Sequence, residues 1–177
     1  SRVRMGTKVT RRDALHLALM SSENRMASAL GRHYPGGRSA FIRAMNNKAR
    51  QLGMRNSRFY DSTGLSTRNV STARDLGKLI SAAYRQPLIR QFTQDGSKDM
   101  RFSTPAYSLM FNNTNPLVKN PDWDVRLSKT GYTDEAGRCL LMRAKPDRQE
   151  LAIVLLNSVG KRTPIGDANR IRKWLKS

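Results

Sequence analysis

The chain has 177 residues, which suffices for one domain with a hydrophobic core and is too short to expect two. Its 33 basic and 13 acidic residues give a formal net charge of +20. The basic residues are scattered rather than clustered, which favours a solvated basic surface over a basic tail. One cysteine and two histidines exclude an internal disulfide and argue against a zinc site. No apolar run reaches about 18 residues, so no transmembrane segment is predicted.

The first half of the chain has the periodicity of helices. Thr10 and Asp13 fit a capping box ahead of a helix that is apolar nearly all round, and this helix stops at residues 21–24. Neither His16 nor His33 has an evident acidic or basic partner, so core or surface roles are expected for both. The other predicted helices are one resuming at Met26, one through Phe41 that ends at Gly53, one capped by Ser71 or Thr72, and a short one after Pro87.

The second half has the character of strands and loops. Residues 103–124 are rich in proline and asparagine and are predicted to be mostly loop with short strands. Strands are predicted at residues 125–130, 138–144 and 151–157, with a hairpin turn at 145–148. A C-terminal helix carries Ile165, Ala168, Ile171, Trp174 and Leu175 on its apolar side. Helices followed by an antiparallel sheet and a helix indicate an α+β domain.

Two short motifs point to chemistry. Ser22-Glu23-Asn24 lies where one helix stops and the next begins, and Lys129-Thr130-Gly131 lies on a predicted strand. Alone, each is weak, because a three-residue pattern occurs by chance and could reflect a surface lysine, a strand threonine or a helix cap. Further stretches that add to the pattern are residues 17–25, 33–37, 63–65, 69–76 and 129–137.

Taken together, these stretches resemble the low-molecular-mass penicillin-binding proteins, the D-alanyl-D-alanine carboxypeptidase and endopeptidase group, over nearly the whole chain. The resemblance implies a β-lactamase/transpeptidase-like α+β fold. It implies a serine-type D,D-peptidase of the bacterial periplasm, which hydrolyses D-alanine-containing peptide bonds of peptidoglycan through an acyl-enzyme and is inhibited by β-lactams. Peptidoglycan peptides and β-lactams are therefore the expected ligands. No metal, no organic cofactor and no nucleic acid partner is implied.

The resemblance also assigns roles. Ser22 resembles the second serine of the family, which relays a proton to the leaving amine, and Asn24 resembles the amide that holds the substrate backbone and orients the catalytic lysine. Both are expected to be catalytic residues.

The second motif is expected to bind substrate. Lys129 would supply a positive charge and Thr130 a hydroxyl donor for the substrate carboxylate. Gly131 would let the peptide lie flat against the strand edge, and the backbone N–H of Tyr132 would face the developing oxyanion.

The nucleophile of the family belongs to a Ser-x-x-Lys motif roughly sixty residues before Ser-x-Asn, and only 21 residues precede Ser22. The one literal match, Ser158 to Lys161, comes after Lys-Thr-Gly, leaves a strand and contains a glycine, so it is rejected. Residues 1–177 are therefore expected to be the C-terminal portion of a single peptidase domain without its N-terminal strands and nucleophile helix. An N-terminal segment of the same protein is the expected partner, and the isolated chain is predicted to be inactive and poorly stable.

Two other functions are compatible with the residues. A nucleic-acid-binding module would rest on net charge alone, and the aromatic content is only 7% with no stacking or helix-turn-helix signature. A non-catalytic relative that binds cell wall is the second alternative, because the chain lacks an acceptable Ser-x-x-Lys. The resemblance favours endopeptidase over carboxypeptidase activity, whereas the residues themselves do not decide between them.

Overall fold

Helices occupy the first half of the chain and antiparallel strands most of the second, as the periodicity predicts. The computed structural model describes residues 1–177. The six α-helices are α1 (Arg11–Met20), α2 (Asn24–Arg32), α3 (Gly37–Gln51), α4 (Ala73–Tyr84), α5 (Pro87–Gln94) and α6 (Thr163–Trp174). The five strands are β1 (Ser97–Ser103), β2 (Ala106–Asn112), β3 (Val125–Thr133), β4 (Gly137–Ala144) and β5 (Leu151–Ser158). None of the helices is both long and apolar enough to cross a lipid bilayer.

The helix ends lie where the sequence places its capping residues. The hydroxyl of Thr10 accepts a hydrogen bond of 3.0 Å from the backbone N–H of Asp13, which caps α1. Thr72, rather than Ser71, caps α4. Gly53 adopts the left-handed conformation with φ of 70°, just after α3 ends, as predicted from its place in the sequence.

The strands form two separate sheets. Strands β3, β4 and β5 form a three-stranded antiparallel sheet in that order, and β1 pairs with β2 in a hairpin. In the larger sheet, Thr130 lies opposite Leu140 and Gly131 lies opposite Cys139. The Lys-Thr-Gly motif is therefore on an edge strand, whose outer side is not paired with another strand of the chain.

Two hydrophobic clusters hold the layers together. The first joins α1 and α2 to the β1–β2 hairpin, with Leu17 and Met20 fully buried. The second joins α6 to the larger sheet around Trp123, whose indole N–H donates a 3.2 Å hydrogen bond to Asn169. Trp174 departs from expectation: we predicted it on the apolar side of the last helix, yet it is 72% exposed, since it lies at the helix end beyond the sheet packing.

The β1–β2 hairpin is the main difference from the sequence prediction. Residues 103–124 are predicted to be mostly loop with short strands, and β2 is such a strand. No strand is predicted at residues 97–102, yet β1 lies there and pairs with β2 in a regular hairpin over residues 97–112. Only Met100 and Phe102 of β1 are buried, and they alternate with charged residues such as Asp99 and Arg101. Two buried side chains give too weak a pattern to predict a strand, and its stability comes from packing against α1.

His16 also differs from expectation. Its ring is buried and stacks on Phe92 with centroids 4.2 Å apart, which joins α1 to α5. The expectation that it lacks an acidic partner was wrong, because its Nε2 lies 2.9 Å from a carboxylate oxygen of Asp95, although not in hydrogen-bond alignment. Burial, followed by the charge of Lys98, lowers the pKa of His16 and favours the neutral ring.

Two helical glycines allow a test of the packing of α2. A methyl group at Gly31 would lie 2.8 Å from the hydroxyl and 3.1 Å from the Cβ of Ser62, whereas a methyl at Gly77 in α4 would meet nothing within 4 Å. Gly77→Ala should therefore stabilise the fold by about 0.5–1 kcal/mol through helix propensity. Gly31→Ala should instead destabilise it by about 1–3 kcal/mol through overpacking. Urea unfolding of both variants checks this, and equal shifts would show that α2 and the Ser62 loop are not closely packed.

Candidate active site

The two sequence motifs meet in the tertiary structure. The ammonium group of Lys129 on β3 donates a hydrogen bond to the hydroxyl of Ser22, although the two residues are 107 positions apart in the chain. The same ammonium donates to the backbone carbonyl of Thr130 at 2.7 Å. The loop between α1 and α2 is thereby fixed against the edge strand of the larger sheet.

The backbone around Ser22 is shaped by its two neighbours. Ser21 closes α1, with its N–H and hydroxyl both donating to the carbonyl of Leu17 at 3.1 and 2.8 Å. Glu23 is buried and caps α2 by accepting a hydrogen bond from the N–H of Arg25. Ser22, between them, adopts φ of 54°, in the left-handed region that a serine seldom occupies. Such backbone strain persists only where the surroundings impose it, and it is frequent at functional sites.

Asn24 is the first residue of α2 and is exposed. Because Glu23 caps the helix, Asn24 does not serve as the cap, and its amide is not engaged in any side-chain hydrogen bond within the chain. It lies on the wall of a cavity of about 1200 Å³ that is also lined by the N-terminal segment, α2 and the loop around Ser62. Ser22 and Lys129 do not line this cavity, whereas Asn24, two residues after Ser22 in the chain, does.

Lys129 is half-buried, and no carboxylate lies within ion-pair distance of its ammonium. Burial lowers the pKa of Lys129 to about 8, because removal from water penalises the charged form. The neutral acceptors at Ser22 and Thr130 solvate the ammonium only in part. An additional anion at this position would therefore be bound favourably.

The rest of the second motif lines the strand edge. The hydroxyl of Thr130 donates a 2.6 Å hydrogen bond to the hydroxyl of Thr114, from the segment after β2. Gly131 is exposed, and a methyl group there would stand 3.8 Å from the Cβ of Cys139, an ordinary contact. The phenol of Tyr132 donates to Asp134 at 2.6 Å, and this bond raises the pKa of Tyr132.

Thr114 is a site residue that the sequence analysis missed. The Asn113-Thr114-Asn115 stretch fell within a segment predicted as loop, and no spacing signal connects it to either motif. Thr114 reaches Thr130 only in the tertiary structure, where the segment after β2 passes beside β3. No group of three His, Cys, Asp or Glu side chains is placed to hold a metal ion.

Comparison with known proteins identifies the family. The sequence model of the D-alanyl-D-alanine carboxypeptidases, peptidase family S11, matches residues 1–160. The chain belongs to the D-alanyl-D-alanine carboxypeptidase family. It is 50% identical over all of its 177 residues to a D-alanyl-D-alanine endopeptidase of Pseudomonas aeruginosa and equally to one of Escherichia coli K12. The chain spans 57% of the length of each of these two endopeptidases.

Solved structures confirm the fold expected for a carboxypeptidase-family member. The Streptomyces K15 DD-transpeptidase matches with a TM-score of 0.89 at 27% identity, covering 98% of this chain and 70% of that one. Penicillin-binding protein D2 from Listeria monocytogenes, in its cefotaxime-bound form, matches with a TM-score of 0.79 at 25% identity, covering 93% and 66%. The predicted α+β transpeptidase-like architecture, with helices and antiparallel strands, is confirmed.

The structure also locates the Ser-x-x-Lys match that the sequence analysis rejected. Ser158 ends β5 and pairs with Arg138 of β4, which in turn pairs with Tyr132 of β3. Ser158 is thus on the opposite edge of the sheet, about 10 Å or two strand spacings from Tyr132. Lys161 follows in a turn rather than on a helix, so Ser158 and Lys161 do not share a helical face.

The burial of Lys129 predicts its titration. Its ammonium should lose its proton near pH 8, where an exposed lysine is still fully charged. Because the unfolded chain keeps this proton up to about pH 10.5, stability linked to Lys129 should rise between these two pH values.

NMR of lysine Cε signals, with Lys129→Arg to assign the resonance, measures the pKa of Lys129 directly. A midpoint above pH 10 would show that the site is open to solvent.

Proposed function

We propose that the chain supplies the substrate-binding wall and the proton-relay serine of a serine-type D,D-peptidase. The reaction is hydrolysis of D-alanine-containing peptide bonds of peptidoglycan through an acyl-enzyme, with β-lactams as inhibitors. The observation that carries the proposal is the hydrogen bond from Lys129 to Ser22, which unites two motifs 107 residues apart. Family membership and relatives named D-alanyl-D-alanine endopeptidases support it.

Ser22 would relay the proton to the leaving amine. Its hydroxyl accepts from the ammonium of Lys129, so its own proton is free to be donated toward a substrate. A positive charge beside a hydroxyl group makes that group a better proton donor. A general acid that protonates the leaving amine needs this property. Asn24, with an exposed and unengaged amide, would hold the substrate backbone and orient the catalytic lysine.

Lys129 and Thr130 would bind the substrate carboxylate. The ammonium lacks a carboxylate partner in the chain and bonds the backbone carbonyl of Thr130, the next residue of the edge strand, whose hydroxyl bonds only Thr114. An edge strand can accept an extended peptide as an additional strand. Gly131 leaves that edge free of a side chain, and the backbone N–H of Tyr132 would stabilise the oxyanion.

The nucleophile and its lysine would come from a segment of the same protein outside residues 1–177. The rejected Ser158 match is at the wrong edge of the sheet. The cavity beside Asn24, about 1200 Å³ in volume and walled by α2, offers room for a helix next to the site. We propose that residues 1–177 form the C-terminal portion of a single peptidase domain.

The substrate is proposed to be cross-linked peptidoglycan, in the periplasm. The names of the two relatives at 50% identity favour endopeptidase over carboxypeptidase action. The net charge of +20 suits a carboxylate-bearing polymer. Family membership also makes the nucleic-acid module the weaker account of that charge.

A labelled penicillin tests the function and the origin of the nucleophile together. The protein produced from its whole gene should form a covalent adduct of one penicillin per chain, whereas residues 1–177 alone should form none. Intact-mass spectrometry followed by peptide mapping identifies the acylated residue. An adduct on the 177-residue chain would refute an external nucleophile, and no adduct on either species would favour a non-catalytic cell-wall-binding relative.

Two adjacent serines provide a matched test of the proton relay. Ser22→Ala should slow acylation of the whole protein by about 10²–10⁴-fold, the range for loss of a general acid. Ser21→Ala removes a hydroxyl that bonds only the carbonyl of Leu17 and should change the rate little. Stopped-flow acylation rates, with thermal unfolding of both variants, make the comparison. Equal rates for the two variants would remove Ser22 from the mechanism.

A further inference from the structure

The segment after β2 lies at the junction of three elements of the site. The backbone N–H of Thr114 donates to the carbonyl of Met20, at the end of α1, at 3.2 Å. The amide of Asn113 donates to the carbonyls of Thr93 and Asp95, at the end of α5, at 3.0 and 2.9 Å. Helix α5 packs against β3, so this segment spans the space between the Ser22 loop and the strand of Lys-Thr-Gly.

The segment is held rigid from its inner side. Asn115 is 1% exposed, and its side-chain oxygen accepts from the N–H of Leu117 at 3.0 Å. Its own N–H donates to the side chain of Asn113 at 2.9 Å, and its amide contacts the sulfur of Met142 at 3.5 Å. These bonds fix the backbone on either side of Thr114, while the Thr114 side chain faces the open strand edge. The hydroxyl of Thr114 is therefore presented from a preorganised backbone.

That hydroxyl meets only one side chain, the hydroxyl of Thr130 at 2.6 Å. In the structure Thr130 is the donor of this bond, so its single proton is directed at Thr114. To donate to a carboxylate, Thr130 must turn its proton away from Thr114, and its oxygen can then accept a hydrogen bond. A rotated hydroxyl of Thr114 would then donate to Thr130, which is the reverse of the bond in the structure. A donor chain of this kind polarises each bond and strengthens the outermost one.

We propose that Thr114 is a positioning residue, which orients the hydroxyl of Thr130 toward the carboxylate of the substrate. The inference rests on the proposed function, since it assigns Thr130 as the carboxylate donor. Thr114 itself does not contact the substrate carboxylate; it acts through Thr130. A ligand without a carboxylate therefore gains nothing from Thr114.

Two substitutions separate the hydroxyl from the shape of the side chain. Thr114→Val keeps the shape and removes the hydroxyl, and Thr114→Ser keeps the hydroxyl and removes the methyl group. Both keep the backbone bond to Met20. In the whole protein, Thr114→Val should lower the second-order rate constant of penicillin acylation by about fivefold, the central value for one lost hydrogen bond. Thr114→Ser should stay within about twofold of the unaltered protein.

A double-mutant cycle with Thr130→Val shows whether Thr114 acts through Thr130. Once Thr130 has no hydroxyl, Thr114→Val should cause no further decrease in the acylation rate constant. In the protein with Thr130 intact, Thr114→Val should weaken the binding of penicillin more than it lowers the maximal acylation rate. Equal losses in both backgrounds, or no loss from Thr114→Val, would overturn the inference, and thermal unfolding of each variant checks the fold. Absence of acylation in the unaltered protein would instead overturn the proposed function, and this inference with it.

Discussion

The contact between Lys129 and Ser22 is the interaction on which the arrangement of the site depends. It joins the loop between α1 and α2 to the edge strand of the larger sheet and closes a loop of 107 residues. The ammonium is half-buried and has no carboxylate partner. Its removal from water disfavours the charged form and lowers the pKa of Lys129 to about 8. A buried charge that is solvated only by a hydroxyl and a carbonyl is poor support for stability, and it is well suited to attracting an anion.

Neighbouring elements hold this contact in place. Ser22 has a left-handed backbone and lies between Ser21, which caps the end of α1, and Glu23, which caps the start of α2. The stack of His16 on Phe92 fixes α1 to α5, and the Asn113–Asn115 segment ties the ends of both helices together. Hydrogen bonds to backbone groups thus position Ser22 and Lys129, which come from opposite halves of the chain.

The net charge of +20 is accommodated largely outside the site. Several arginines lie over aromatic rings, with the guanidinium carbon 3.8 Å from the ring centroid for Arg68 over Tyr60 and 5.1 Å for Arg90 over Tyr84. Such stacking covers the ring and keeps the guanidinium at the surface, so the positive charge need not be neutralised by acids. The basic character is a property of the whole surface, and only Lys129 brings a positive charge into the Ser22 contact.

The sequence by itself determined the helices, the three strands of the larger sheet and the two motifs, because periodicity, capping residues and turn residues are local signals. Thr10, Gly53 and Thr72 act where local rules place them. The meeting of the motifs was expected only from the family resemblance. Only the tertiary structure decided that Lys129 reaches Ser22, that Thr114 meets Thr130, and that residues 97–112 form a hairpin. Each of these depends on packing between residues distant in sequence, and no local pattern encodes which buried surfaces will meet.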